Sequence, residues 1–158
     1  MTTNLSRIIP PENIVLDLEA TDKQQLFDKV AERFERQCAL PAATISENLL
    51  EREKLASTGL GHGVAVPHGR IEGLKSPTAA LVRLAEPLAF DSPDGKPVNL
   101  MIVLLIPDNV TQKHLEILSE IAEMFSDTDF RDALTREKSP ASVHDMLMSW
   151  LPAHMKKT

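Results

Sequence analysis

The chain has 158 residues, of which 42% are hydrophobic and 25% charged, enough for one domain with a core that needs no disulfide or metal staple. Its net charge is −6 and its 17 Lys and Arg residues form no long cluster, which argues against nucleic acid and for a partner with a basic docking face. Cys38 is the only cysteine, so neither an internal disulfide nor a cysteine zinc site is available, and the N-terminus lacks the apolar stretch of a signal peptide.

Ile14 to Leu18 reads as a short strand, after which Thr21 and Gln24 form a capping box for a helix from about Asp22 to Gln37. Leu26, Phe27, Val30, Ala31 and Phe34 make one apolar stripe along it. Pro41 precedes a second helix, roughly Ala42 to Leu55, with Ile45 and Leu49 apolar. Arg52 follows them at helical spacing and so shares their buried-facing side. Gly59 to Gly63 lead into a short strand, Val64 to Val66, with His68 at its end.

Thr78 to Leu84 and Val98 to Ile106 are better strands, the second a continuous apolar run typical of a strand covered on both faces. Phe90 to Pro97 supplies the turn between them. Thr111 caps a helix reaching about Phe125, with Leu115, Leu118, Ala122 and Phe125 facing inward. A short helix then holds Phe130, Ala133 and Leu134. Ser139 and Pro140 open a last helix carrying Val143, Met146, Leu147 and Trp150. The longest apolar run, Leu100 to Ile106, is far below the ~20 residues that span a bilayer. The expected architecture is a single α/β domain over 1–158, with a core from about 8 to 151, a short flexible C-terminal tail and helices covering a sheet. Its expected location is the cytoplasm.

The segment Ser57 to Arg70 sets His68 between Pro67 and Gly69. Pro67 fixes its own backbone torsion, and Gly69 removes a side chain that would crowd an approaching group. An imidazole is partly neutral near pH 7, so a ring nitrogen can serve as base, ligand or nucleophile. Taken alone, Pro-His-Gly is more often a surface turn with an incidental histidine. Gly59, Gly61 and Gly63 lack the Lys-Ser or Lys-Thr of a phosphate loop and follow a helix rather than a strand, although loop amides can still hold an anion.

His114 lies near the start of its helix on the edge shared with Leu118 and Ile121, where a neutral imidazole can donate to an anion or be satisfied by a backbone carbonyl. Arg52, on an apolar stripe, needs either an anion to clamp or an ion pair with Glu51, Glu53 or Asp91. His62, His68 and His114 also form a three-histidine metal set on paper, without a helical His-Glu-x-x-His pair to support it. His144 and His154 read as exposed residues. Ser57 and Thr58 offer hydroxyls but no Gly-x-Ser-x-Gly elbow.

In order along the chain, Leu50-Glu51-Arg52-Glu53-Lys54, Ser57-Thr58-Gly59, Gly61-His62-Gly63, Val64-Ala65-Val66-Pro67-His68-Gly69 and Lys113-His114-Leu115 resemble the second type of IIA domain of the bacterial phosphotransferase system. This is the mannitol/fructose type, and the nitrogen-regulatory branch is the most similar. The match runs from Ile14 to near Leu151. The resemblance implies a mixed, about five-stranded sheet flanked by helices on both faces, with no cofactor and no metal. It implies that His68 accepts a phosphoryl group from the phosphohistidine of a small carrier protein, that Arg52 steadies it and that His114 is a supporting imidazole. Ser57, Thr58, Gly59, Gly61, His62 and Gly69 form the auxiliary loop. Implied downstream partners are potassium-transport proteins or sensor kinases, with no nucleic acid and no membrane insertion. One departure stands out: this branch commonly carries asparagine where His62 stands. With no fused IIB or IIC portion in this sequence, the expectation leans to regulation, and the alternative is a sugar-specific IIA component that passes phosphate to a IIB partner.

Overall fold

The longest apolar run becomes the centre of the sheet. In the computed structural model, which describes residues 3–109 and 112–153, strand β6 is Val98–Pro107 and pairs on both sides. The other strands are β1 (Ile14–Leu18), β2 (Gly59–Gly61), β3 (Val64–Ala65), β4 (His68–Ile71) and β5 (Thr78–Leu88). They form a six-stranded mixed sheet ordered β1-β5-β6-β3-β2, with β4 also on β6. Only β5 runs antiparallel to β6; β3 and β4 run parallel to it and lie end to end against its one side, so the sheet is five positions wide.

Strand alternation divides β6 between two cores. Leu100, Ile102, Leu104 and Ile106 pack on one face with α3 (Gln112–Ser126), α4 (Thr128–Arg136) and α5 (Pro140–Ser149). Met101, Val103 and Leu105 pack on the other with α1 (Lys23–Cys38) and α2 (Ala42–Leu55). The expected α1 stripe is fully buried, each large side chain contributing about 1.5–3 kcal/mol on the usual transfer scale. No helix among the described residues is long and apolar enough to cross a membrane.

Four expectations are corrected. The N-cap of α1 is Asp22 rather than Thr21: its carboxylate accepts from Gln25 N–H at 2.8 Å, while the Gln25 side chain reaches back to Thr21 N–H at 2.8 Å. The capping box is thus one residue later, because Asp22 adopts the extended backbone that a cap requires. The buried stripe of α3 is His114, Ile117, Ile121, Met124 and Phe125, leaving Leu115 53% exposed and Ala122 in solvent. The helix is rotated so that Leu115 borders a cleft, while half-buried Leu118 packs against the core and lines the same cleft. His68 opens a strand instead of ending one, because Val66 and Pro67 interrupt the line between β3 and β4. His144 is half-buried, with Nε2 3.0 Å from the Ile9 carbonyl oxygen. Thr111 and His154 lie outside the described residues.

Candidate functional site

Among the described residues, strand β4 has β6 on one side and no strand on the other. A cleft of about 790 Å³ opens there, bounded by the last turns of α2, by β4 and by the start of α3. Three sequence segments far apart in the chain meet in it: Arg52 from α2, His68 and Arg70 from β4, and His114 with Leu115 and Leu118 from α3. Arg52, Lys54 and Arg70 give it three cationic side chains against one carboxylate, Glu51, on a chain whose net charge is −6. A smaller recess of about 220 Å³ beside it joins Ser57, Thr58 and Gly59 to Arg52 and His68.

The position of His68 follows from strand alternation. Gly69 and Ile71 turn into the α2 side of the sheet and are buried, so His68 and Arg70 project from the opposite face. His68 is half-buried, and its Nδ1 lies 2.8 Å from the Val66 carbonyl oxygen. A carbonyl only accepts, so Nδ1 carries the proton and Nε2 keeps the free lone pair. Desolvation pushes the imidazole below its ordinary value, and the charges of Arg52 and Arg70 add to this, against the opposing pull of the Val66 carbonyl and Glu53. The ring is therefore neutral near pH 7.

Arg52 is only partly buried and donates to the Ala56 carbonyl at 2.8 Å. It makes no ion pair with a described carboxylate, which corrects the salt-bridge alternative with Glu51, Glu53 or Asp91. The fully inward residue of that turn is Glu53, whose carboxylate is held by Lys23 and Thr58. His114, 6% exposed, sits in the first turn of α3 and borders the cleft.

The auxiliary loop divides into two parts. Ser57 Oγ donates to the Phe90 carbonyl and accepts from Gly59 N–H at 3.1 Å, which folds the chain back beside His68. Gly61 and His62 lie outside both recesses. His62 and Gly63 are the two central residues of the hairpin between β2 and β3, with φ of +56° and +80°, as a type I′ turn demands. His62 is exposed, and its N–H donates to Asp94 at 2.9 Å. The three-histidine metal set is therefore not assembled, and among the described residues no group of three metal-ligating side chains exists. Gly69 leaves room not for an incoming group but for α2: a Cβ there would sit 2.6 Å from Asn48 Oδ1.

Glu53, Arg70 and Asn48 were not singled out as site residues from the sequence. Arg70 had a readable signal, since it follows His68 by the two-residue period of a strand. Glu53 did not, because a carboxylate next to an arginine on a helix reads as solvated surface.

A family profile described as "Phosphoenolpyruvate-dependent sugar phosphotransferase system, EIIA 2" matches residues 7–150. The chain belongs to this family. Similar proteins include a nitrogen regulatory protein of Pseudomonas aeruginosa, 37% identical over 91% of this chain and 94% of its own length. Among solved structures, nitrogen regulatory protein IIA-Ntr from Neisseria meningitidis is 46% identical with a TM-score of 0.86, covering 90% of this chain and 98% of that one. The mannitol IIA of Escherichia coli shares the fold at 23% identity, with a TM-score of 0.73 and coverage of 87% and 97%. Membership makes the chain a phosphotransfer protein with the α/β fold of the mannitol-type IIA domains, as its motifs had led us to expect.

Proposed function

We propose that this chain is the phosphoryl-accepting IIA protein of a nitrogen-type phosphotransferase system, acting in the cytoplasm. The observation that carries this reading is the Nδ1 bond to Val66, which leaves the Nε2 lone pair of a neutral His68 in an electropositive cleft with Arg52 and His114. The similarity to nitrogen regulatory proteins supports the regulatory branch.

In the proposed step, His68 Nε2 attacks the phosphorus of a phosphohistidine on a small carrier protein, in line with the bond that breaks. A P–N bond forms at Nε2, and the electron pair of the breaking P–N bond returns to the donor ring nitrogen. Positioning and charge stabilisation supply the catalysis, as in phosphoryl transfer generally. Arg52, with its planar fork of donors, holds the phosphoryl oxygens, and His114 supports them. The added charge of roughly −1.5 to −2 then changes which proteins dock, without a change of fold. Potassium-transport proteins or sensor kinases are the downstream partners of this reading.

Incubation with phosphoenolpyruvate, the general phosphotransferase enzyme and its histidine carrier tests it by intact mass. One acid-labile phosphate is expected on the wild type and none on His68→Ala; full labelling of His68→Ala would sink the assignment. The family's sugar description favours a second reading, a sugar-specific IIA component. Loss of the label to an added sugar-specific IIB protein would select it over the regulator.

A further inference from the structure

Glu53 is 6% exposed, and a carboxylate at that depth must be matched in charge and in hydrogen bonds. Lys23, at the start of α1, lies 3.1 Å from Oε2 and also stands 4.6 Å above the buried Phe90 ring. Thr58 supplies both remaining donors, its N–H to Oε2 at 3.0 Å and its hydroxyl to Oε1 at 2.6 Å. Residue 58 is thus pinned through backbone and side chain at once. Its own carbonyl accepts from Val66 N–H at 3.0 Å, and the Val66 carbonyl accepts from His68 Nδ1 at 2.8 Å. The peptide carrying that carbonyl is followed by Pro67, whose ring locks φ and whose carbonyl is held by Leu104 N–H at 2.9 Å.

We propose that Glu53, braced by Lys23, is a positioning residue that acts through Thr58 and Val66 to hold the His68 ring with Nδ1 protonated and Nε2 free. The proposal rests on the phosphoryl-acceptor reading for its consequence in turnover, but its statement about the ring holds for the unphosphorylated protein. The same carboxylate anchors the last turn of α2, so it also steadies the adjacent Arg52. Breaking a buried ion pair from one side lowers stability whatever its other role, whereas its directional bonds fix geometry. The positioning effect is therefore read at His68 in the folded variants and not in the melting temperature.

The test uses the full chain as Glu53→Gln, Thr58→Val and Thr58→Ser. Glu53→Gln keeps the shape and removes the charge, Thr58→Val removes the hydroxyl arm, and Thr58→Ser restores it. The first readout is the neutral tautomer of His68 from imidazole ¹⁵N shifts. The second is the rate of phosphoryl acceptance from the histidine carrier, split into kcat and KM. Wild type and Thr58→Ser should show the Nδ1–H tautomer. Glu53→Gln and Thr58→Val should shift toward a mixture and lose about tenfold in kcat at unchanged KM, within the range that misplacement of a reacting group costs. Folded Glu53→Gln and Thr58→Val with the wild-type tautomer and kcat would overturn the proposal, as would a wild type whose Nε2 is protonated. If Glu53→Gln does not fold, Thr58→Val decides alone. If the wild type shows the Nδ1–H tautomer and the variants lose it, yet no form is phosphorylated, the relay stands and the phosphoryl-acceptor reading fails.

Discussion

His68 and Val66 are joined across Pro67 by a 2.8 Å contact from Nδ1 to the carbonyl oxygen, which assigns the two ring nitrogens different tasks. Phosphate should therefore be found on Nε2. Correlation of ³¹P with ¹⁵N in the phosphorylated protein distinguishes the two linkages, and an Nδ1 adduct would contradict the assignment.

The pH dependence has a definite sign. Burial, with Arg52 and Arg70, lowers the His68 pKa below its ordinary 6.5, so acceptance of phosphate should fall with a midpoint below pH 6.5. In stability terms, the unfolded chain binds this proton first as pH falls. The contribution of His68 is thus present above about 6.5, the ordinary imidazole value, and is lost as pH drops through the lower folded-state pKa. An NMR titration of His68 should give a midpoint under 6.5 that rises in Arg52→Gln. A midpoint at or above 6.5 in the wild type would contradict this.

Among the described residues Arg52 donates to the Ala56 carbonyl and makes no ion pair, so its guanidinium can turn to an incoming anion at little cost. Arg52→Ala should slow phosphoryl acceptance about 10²–10³-fold, the scale for losing one preorganised donor, with the melting temperature nearly unchanged. Arg52→Lys should recover part of this, since a point charge replaces a planar fork. A single-turnover assay with the phosphorylated carrier measures both, and a loss under threefold in Arg52→Ala would remove Arg52 from the mechanism.

His62 occupies the first central position of a type I′ turn at φ +56°, where asparagine before glycine is preferred. His62→Asn should raise the unfolding temperature or leave it unchanged, and phosphoryl acceptance should remain within twofold. A large loss of transfer would show that His62 reaches the donor from its exposed turn.

At Gly59 the constraint is steric: an added Cβ would lie 2.2 Å from Ser92 Oγ and 3.1 Å from Ser92 Cβ. Gly59→Ala should cost about 1–3 kcal/mol in denaturant unfolding, typical of overpacking. Ser92→Gly in the same chain should return much of it, because it removes the clashing atoms together with a buried hydroxyl that has no partner among the described residues. Additive losses would place the strain elsewhere.

Much of the secondary structure was legible because local rules govern it. The α1 stripe, the limits of α2, the Ser139-Pro140 start of α5 and the two-sided burial of β6 all follow from periodicity, capping and apolar runs. The α3 stripe is only partly legible, since Leu115 is as apolar as Ile117 and Ile121 and only the neighbouring elements decide that it faces outward while Leu118 and Phe125 pack on the core.

By itself the sequence determined the ordered motifs around Arg52, His68 and His114, and through them the family, because spacing along a chain is preserved in the sequence. Only the tertiary structure decided what these residues face. It brought α2, β4 and α3 together at the free edge of the sheet and set His62 outside the cleft. It also turned Glu53 inward and Arg52 toward the cleft on adjacent positions of one helix. The physical reason is that orientation in the site is fixed by contacts between segments distant in sequence, such as Thr58 with Val66, which leave no periodic trace along the chain.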